Sequence, residues 1–331
     1  MAVAAVRAGY ELYPDGTLRL AARQEIVLSD AYEGSTHATP LVMTSDLAPF
    51  KPGADITILG SAHPPGGEPA AVWPVSVAID GATRELRIHG PRQWEPGRKG
   101  DRPVWSLTPA RRVAEVALDW RLASGGRIIG DPKGDAHPRN PIGAGLVDPR
   151  VTSPYFAYDA PQIDSAAEPV GASGDRPEPQ GFGPVPPAWA CRLRHLGTPE
   201  GTRLPADHDY RYWHNAPPAL RLPAPLGAGA RVRLSGLVPG GGALVLALPD
   251  IEPYAHFAHR DGRDVFAAMN RDGLHLDLRG QPPWRADITF RCWFEICPQF
   301  QFVSIGVTDA AGAAGLPVAG RDGLQNRGGG T

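Results

Sequence analysis

The chain reads as a mainly β protein: antiparallel sheets packed as a β-sandwich or as two β subdomains, with long Pro/Gly-rich loops and few short helices. Two observations carry that reading. Apolar residues recur with a period of two along many short runs, the spacing of a pleated strand. The runs are separated by Asp-Gly, Pro-Gly and Gly-Gly punctuation, where proline fixes φ and glycine opens positive φ.

Taken in order, YELYPDGTLRL is a hairpin around Pro14, Asp15 and Gly16. In the block SDLAPFKPGADITILGSAHPPGGEP, Ile56 and Ile58 alternate with Thr57 and Leu59, so a strand sits between two rigid turns. Lys51, Asp55, His63, Gly66 and Gly67 mark its edges. Val75, Val77 and Ile79, then DGAT, then Leu86 and Ile88 form a second hairpin, since Asp-Gly suits a tight reversal. VAEVALDW is a further strand with a short helix as its rival. Residues 131–220 lose the pattern and form a long loop region in which Tyr155, Phe156, Tyr158 and Phe182 argue for an ordered crossing with a mobile centre near Ala172 to Pro179. Regularity returns over residues 221–309, where RVRLSGL and ALVLALP flank VPGGG, and where LHLDLRG and RADITFRCWFEI each present one apolar face. DVFAAMN is the one helix candidate. Residues 310–331 have no pattern to offset the entropy of ordering and are expected to be flexible. Residues 1–130 then make an N-terminal antiparallel region.

Composition narrows the function classes. In 331 residues, 42% are hydrophobic, enough for a sizeable core, and 40 Gly with 37 Pro point to loop-rich β structure. Acids and bases are interspersed at a formal charge of −2, which provides no footprint for nucleic acid or an anionic membrane. Cys191, Cys292 and Cys297 make no disulfide framework, because the odd spacing of the last two sends them to opposite faces of a strand. MAVAAVRAGYELYPDG is too short an apolar start for a signal peptide, and no apolar run spans a membrane, so a cytoplasmic, soluble protein is expected.

No nucleophile elbow, P-loop, dinucleotide fingerprint or zinc-finger spacing occurs. Asp207, His208, Asp209 and His214 could form a metal or acid/base site of a metal-dependent hydrolase. The plainer reading has Asp207 and Asp209 bonding nearby amides to fix a turn. His256 and His259 could share a helix face. Lys51 and Asp55 are a polar pair or a strand terminus, and His63 is a general base or a cap on a turn carbonyl. Gly143 and Gly145 could admit a phosphate, or make a turn. Among the eight tryptophans, Trp94 and Trp189 are candidate exposed anchors, for a protein or for sugar in a carbohydrate-binding sandwich.

The motifs also resemble a known family. AAVRAGYEL, SDAYEG and SDLAPFKPGADITILGSAHPPGGEP are followed in order by HGPRQW, with Arg92 and Trp94, then LDWRLASGG. NPIGAGL comes next, with Asn140, Pro141, Gly143 and Gly145, then PQGFGPVPPAW with Trp189 and Arg192, and LPADHDYRYWHNAP with Asp207, Asp209 and Asn215. Together they are similar to the domain-of-unknown-function 2169 family, the proteins encoded beside type VI secretion effectors. The resemblance implies a non-enzymatic adaptor or chaperone that needs no cofactor or metal. Its partners would be a secreted toxin and the VgrG and PAAR spike proteins, gripped by loops around Lys51 to Pro69, Asn140 to Gly145 and Trp189 to Asn215.

Overall fold

The computed structural model describes residues 2–34, 38–198, 204–262, 264–294 and 299–308. Its main strands, in chain order, begin with β1 (Ala2–Leu12), β2 (Leu18–Leu20), β3 (Ala54–Leu59), β4 (Val72–Ile79), β5 (Ala82–His89), β6 (Gln93–Lys99) and β7 (Arg102–Leu107). After a long loop region come β8 (Ile163–Asp164), β9 (Arg221–Leu222), β10 (Arg231–Ser235) and β11 (Ala243–Ala247). The series ends with β12 (Glu252–His259), β13 (Asp264–Ala268), β14 (Asn270–Asp277), β15 (Trp284–Phe294) and β16 (Phe300–Thr308). Among the described residues helical structure is limited to one α turn and short 3-10 turns.

Two sheets enclose the core. The first runs β9-β3-β14-β15-β1-β2 and the second β8-β5-β4-β10-β11. Ile56, Leu274, Ile288 and Ala8 stand in register across the first sheet and face inward. They meet Val75, Val77, Leu86, Ile88, Val232, Leu234 and Leu246 of the second in one continuous apolar cluster. Each such side chain, fully removed from water, contributes about 1.5–3 kcal/mol. The expected hairpins are present: β1–β2, β4–β5 and β10–β11 all pair antiparallel. At the β4–β5 reversal Asp80 and Gly81 both take positive φ, 46° and 84°, the backbone that Asp-Gly favours in a two-residue turn.

Pairing is mostly antiparallel, as expected; β3 and β14 lie parallel with Ile56 beside Leu274, and no local hairpin joins them. Three expectations are corrected. VAEVALDW is neither a full strand nor a helix: Val113 bridges Ala70, and Val116 and Ala117 pair with Ala62 and Ser61, before a 3-10 turn at Trp120–Leu122. DVFAAMN is not a helix; its first five residues are β13, which the turn after His259 folds back onto β12. His256 and His259 therefore lie on strand β12 and share no helix face. Here cross-strand packing, with Phe266 stacked on His256 at 4.5 Å, outweighs the helix propensity of Ala-Ala-Met.

A third sheet, β13-β12-β16, extends from the core at Phe257 and Phe294, whose rings sit 4.1 Å apart. Cys191 and Cys292 are free and buried, and burial pushes the Cys292 thiol up to about 12. Cys297 and the tail 310–331 lie outside the described residues. The stretch Ala172 to Pro179 is turned by Asp175, whose carboxylate accepts from the Gly171 and Ala172 amides. No helix among the described residues is long and apolar enough to cross a membrane.

Candidate functional site

The outer face of the first sheet is polar, yet buried. On β15, Asp287, Thr289 and Arg291 alternate with Ala286, Ile288 and Phe290, and all six are inaccessible. Register places Arg7 of β1 beside Thr289, and His275 of β14 beside Asp287 and Thr57. The segment between β2 and β3 covers this face through Asp46. Its carboxylate accepts from Arg7 at 3.1 Å and from the Val27 amide at 2.8 Å. Arg7 also reaches Asp287 at 3.0 Å, and Arg291 pairs with Asp272. These charges answer one another, as buried ions must.

At one end of this seam sits Asp55, on β3. Its carboxylate accepts from Lys51 at 2.8 Å, from His214 Nδ1 at 2.7 Å and from the Asn215 amide at 2.8 Å. Gly53 lets the intervening turn pass against the Leu222 carbonyl, where a Cβ would stand 1.9 Å away. Burial alone would raise the Asp55 carboxyl, but the Lys51 ammonium and the His214 bond hold it far below the usual carboxylate range. The pair is therefore an internal tie, not a strand end. It fastens the start of β3 to the turn 210–213.

A cavity of about 20 Å³, room for about one water, lies among Arg7, Asp46, Lys51, Thr57, His275 and Arg291. Thr57 bonds His275 Nδ1 at 2.8 Å, while Nε2 has no partner among the described residues. Burial pushes the His275 imidazole down to about 4, so the fold holds it neutral while the unfolded chain takes a proton below about 6.5. Stability from this residue is complete above pH ~6.5 and drains away as pH falls towards ~4, a loss of roughly 3 kcal/mol. His275→Gln is expected to flatten that part of the curve, read as the urea midpoint against pH.

Outside the tie, the 3-10 turn Tyr210–Trp213 presents rings. Asp209 caps it, accepting from the Arg211 amide and from His195 Nδ1, both at 2.9 Å. Burial would raise the Asp209 carboxyl, yet Arg211 brings it to about 2. His208 donates from Nδ1 to the Leu196 carbonyl at 2.8 Å and accepts from Trp213 Nε1 at 3.0 Å. Edge contacts link Phe50 to Tyr210 at 5.5 Å, His208 to Tyr210 at 5.3 Å and Tyr212 to Trp213 at 5.2 Å. Arg192 is buried beneath, donating to the Tyr212 and Val185 carbonyls with its guanidinium over the Tyr212 ring. Phe50, His208, Tyr210, Tyr212 and Trp213 are all half-buried, so each offers a ring face or edge to solvent from a fixed position.

The sequence candidates thus fall into separate places. Lys51, Asp55, Asn215, Asp209 and Arg192 gather around the aromatic turn, and Asp207 closes the neighbouring loop by accepting from the Thr198 amide at 2.9 Å. Asp207, His208, Asp209 and His214 point to different partners, and no group of three His, Cys, Asp or Glu among the described residues could hold a metal ion. His63 lies apart, its amide bonded to the Gly236 carbonyl and its ring 3.9 Å from Glu115, with burial lowering its basicity. Gly66 and Gly67 stay exposed on the next turn, Gly67 beside Gly240 of the β10–β11 reversal.

Trp94 and Trp189 are not exposed anchors. Trp94 is 1% accessible with Nε1 donating to the Gly145 carbonyl, and Trp189 is 5% accessible with its ring edge-on to Trp120 at 5.3 Å. Both are large enough to pin loops, which is what the Pro-rich context around them required. NPIGAGL is a turn: Asn140, fully buried, donates to the Trp120 and Ser124 carbonyls, Pro141 starts the bend, and Gly143 and Gly145 pass too close to Gly125 and Pro161 for a side chain. Arg92 ties this region to the second sheet through the Pro161 carbonyl and Asp164.

Several organising residues were not singled out from sequence: Arg7, Asp46, Thr57, Asp164, His275, Asp287 and Arg291. Asp164 takes Arg87 at 2.8 Å, His89 at 3.1 Å and Arg92 at 3.4 Å. The available signal was alternation of opposite charges, as in Arg285, Asp287 and Arg291, on a strand too long and central to leave a wet face.

No curated protein and no solved structure matches the chain. A family model does match, over residues 1–291, which takes in the tie, the aromatic turn and the sheets up to β15. The chain belongs to the DUF2169 family, described as an uncharacterized protein conserved in bacteria.

Proposed function

We propose that this protein is a non-enzymatic adaptor that holds a type VI secretion effector and helps load it onto the VgrG and PAAR spike proteins. The observation that supports it best is the half-exposed ring cluster of Phe50, Tyr210, Tyr212 and Trp213, fastened to the core strand by Asp55. Aromatic side chains give large contact area for little ordering entropy, and Tyr, Trp and Arg dominate interface energetics. A surface already held in one shape loses less on association. The ionisable groups beneath it are satisfied by one another, which suits a scaffold better than proton transfer. The resemblance of the motif series to the secretion-adaptor proteins suggests the class of cargo, a secreted toxin.

The test is affinity capture of the tagged chain from a bacterium that encodes it and a type VI apparatus. A toxin and a spike component are expected to co-purify, and their absence from cells expressing both would sink the proposal.

A further inference from the structure

The third sheet ends on an edge without a guard. Among the described residues β16 pairs only with β12, and its nine residues, FQFVSIGVT, carry no charge and no proline. Phe302, Val303, Ile305 and Val307 are 50, 40, 43 and 62% exposed. Long apolar edges of this kind invite pairing, and proteins blunt them with charges, prolines or covers. The other edges of the three sheets are treated that way. β2, β9 and β13 carry Arg19, Arg221 and Asp264, β8 is covered by the bridge from Ala123 to Ile163, and β11 is covered at the Val245 carbonyl by the Gly16 turn.

We propose that β16 pairs antiparallel with β16 of a second copy of this chain, about a two-fold axis at Ile305. Charge and pattern select this occupant. An uncharged strand opposes its own copy without repulsion, whereas it offers a foreign segment no charge by which to be chosen. In this register Ile305 faces its counterpart, Val303 faces Val307 of the second copy, and Ser304 faces Gly306. The apolar stripe Val303, Ile305 and Val307 lies on the side on which Ala255 and Phe257 turn to the core, because Ala255 is paired with Ile305 and Phe257 with Val303. Both stripes then merge into one, and the two third sheets become one six-stranded sheet. A closed two-fold contact of this kind consumes the edge and stops at two copies.

The test uses the full-length chain alone, so it reads independently of the adaptor proposal. Light scattering after size exclusion is expected to give the mass of a dimer, and Ile305→Lys that of a monomer with an unchanged melting temperature. Register is read by oxidation in a Cys297→Ser background. Ile305→Cys is expected to cross-link to its copy, since opposed strand residues fall within disulfide reach. Val303→Cys alone is expected not to, and the Val303→Cys/Val307→Cys pair to do so. A wild-type monomer at every concentration, or a dimer indifferent to both Ile305 substitutions, overturns the proposal. So does a monomer whose β16 amides gain exchange protection only when cargo is added, which gives the edge to the cargo.

Discussion

Asp55→Ala is expected to cost about 3–5 kcal/mol of folding stability, the range for removing one partner of a buried ion pair. The carboxylate is 1% exposed and serves three donors at once. Its loss strands the Lys51 ammonium, which is itself 5% exposed, together with the His214 ring and the Asn215 amide. Unpaired buried cations are penalised more heavily than the pair was rewarded. Asp55→Asn keeps an acceptor for the amide and should cost less, while the double change Lys51→Met/Asp55→Leu removes both charges and should recover part of the loss. Equilibrium urea unfolding checks the series. A cost under about 1 kcal/mol for Asp55→Ala would place the pair among exposed ones. Because Asp55 is held as a carboxylate well below its ordinary range, its contribution is complete above pH ~4 and is lost only as pH falls further. The His275 loss is expected first and the Asp55 loss second on acidification.

The second large effect concerns binding. Trp213→Ala is expected to weaken capture of the proposed cargo by about 30-fold, near 2 kcal/mol, the threshold for a hot-spot residue. The ring is half-buried and its Nε1 is already occupied by His208, so most of its free face is available to a partner. Trp213→Phe keeps the area and loses the His208 bond, and should retain most of the affinity. Titration calorimetry with the captured protein reads both, alongside the melting temperature. Equal affinity for all three forms would mean that the rings serve the fold alone.

The sandwich was legible because its hairpins are local. Asp80-Gly81 and Asp15-Gly16 sit between alternating runs, so turn chemistry and strand period agree. The seam was not. Asp287, Thr289 and Arg291 alternate with apolar residues just as a wet face would. What buries them is the segment around Asp46, which has almost no regular structure and whose contacts cross the chain from residue 46 to residues 289 and 291. The tie was half legible: Lys51 and Asp55 could be named from spacing, while the arrival of His214 and Asn215 depends on 160 residues of intervening fold. Trp94 and Trp189 misled because their neighbours are charged or proline-rich, which describes the loop they hold down and not the rings themselves. DVFAAMN misled because propensity is a weak prior beside a hairpin partner.

The pairing of β1 with β15, residue 12 opposite residue 284, sets the order in which the chain can mature on the ribosome. β1 acquires its long neighbour only after all the strands between them in sequence have emerged, and β3 likewise waits for β14. Until then most of β1 beyond its short hairpin with β2, and β3 beside it, lack their long neighbours, and such late, distant closure is slow and exposes the nascent chain to aggregation. Protein made faster than it can close is expected to accumulate in inclusion bodies, and slower translation at low temperature to raise the recovered yield.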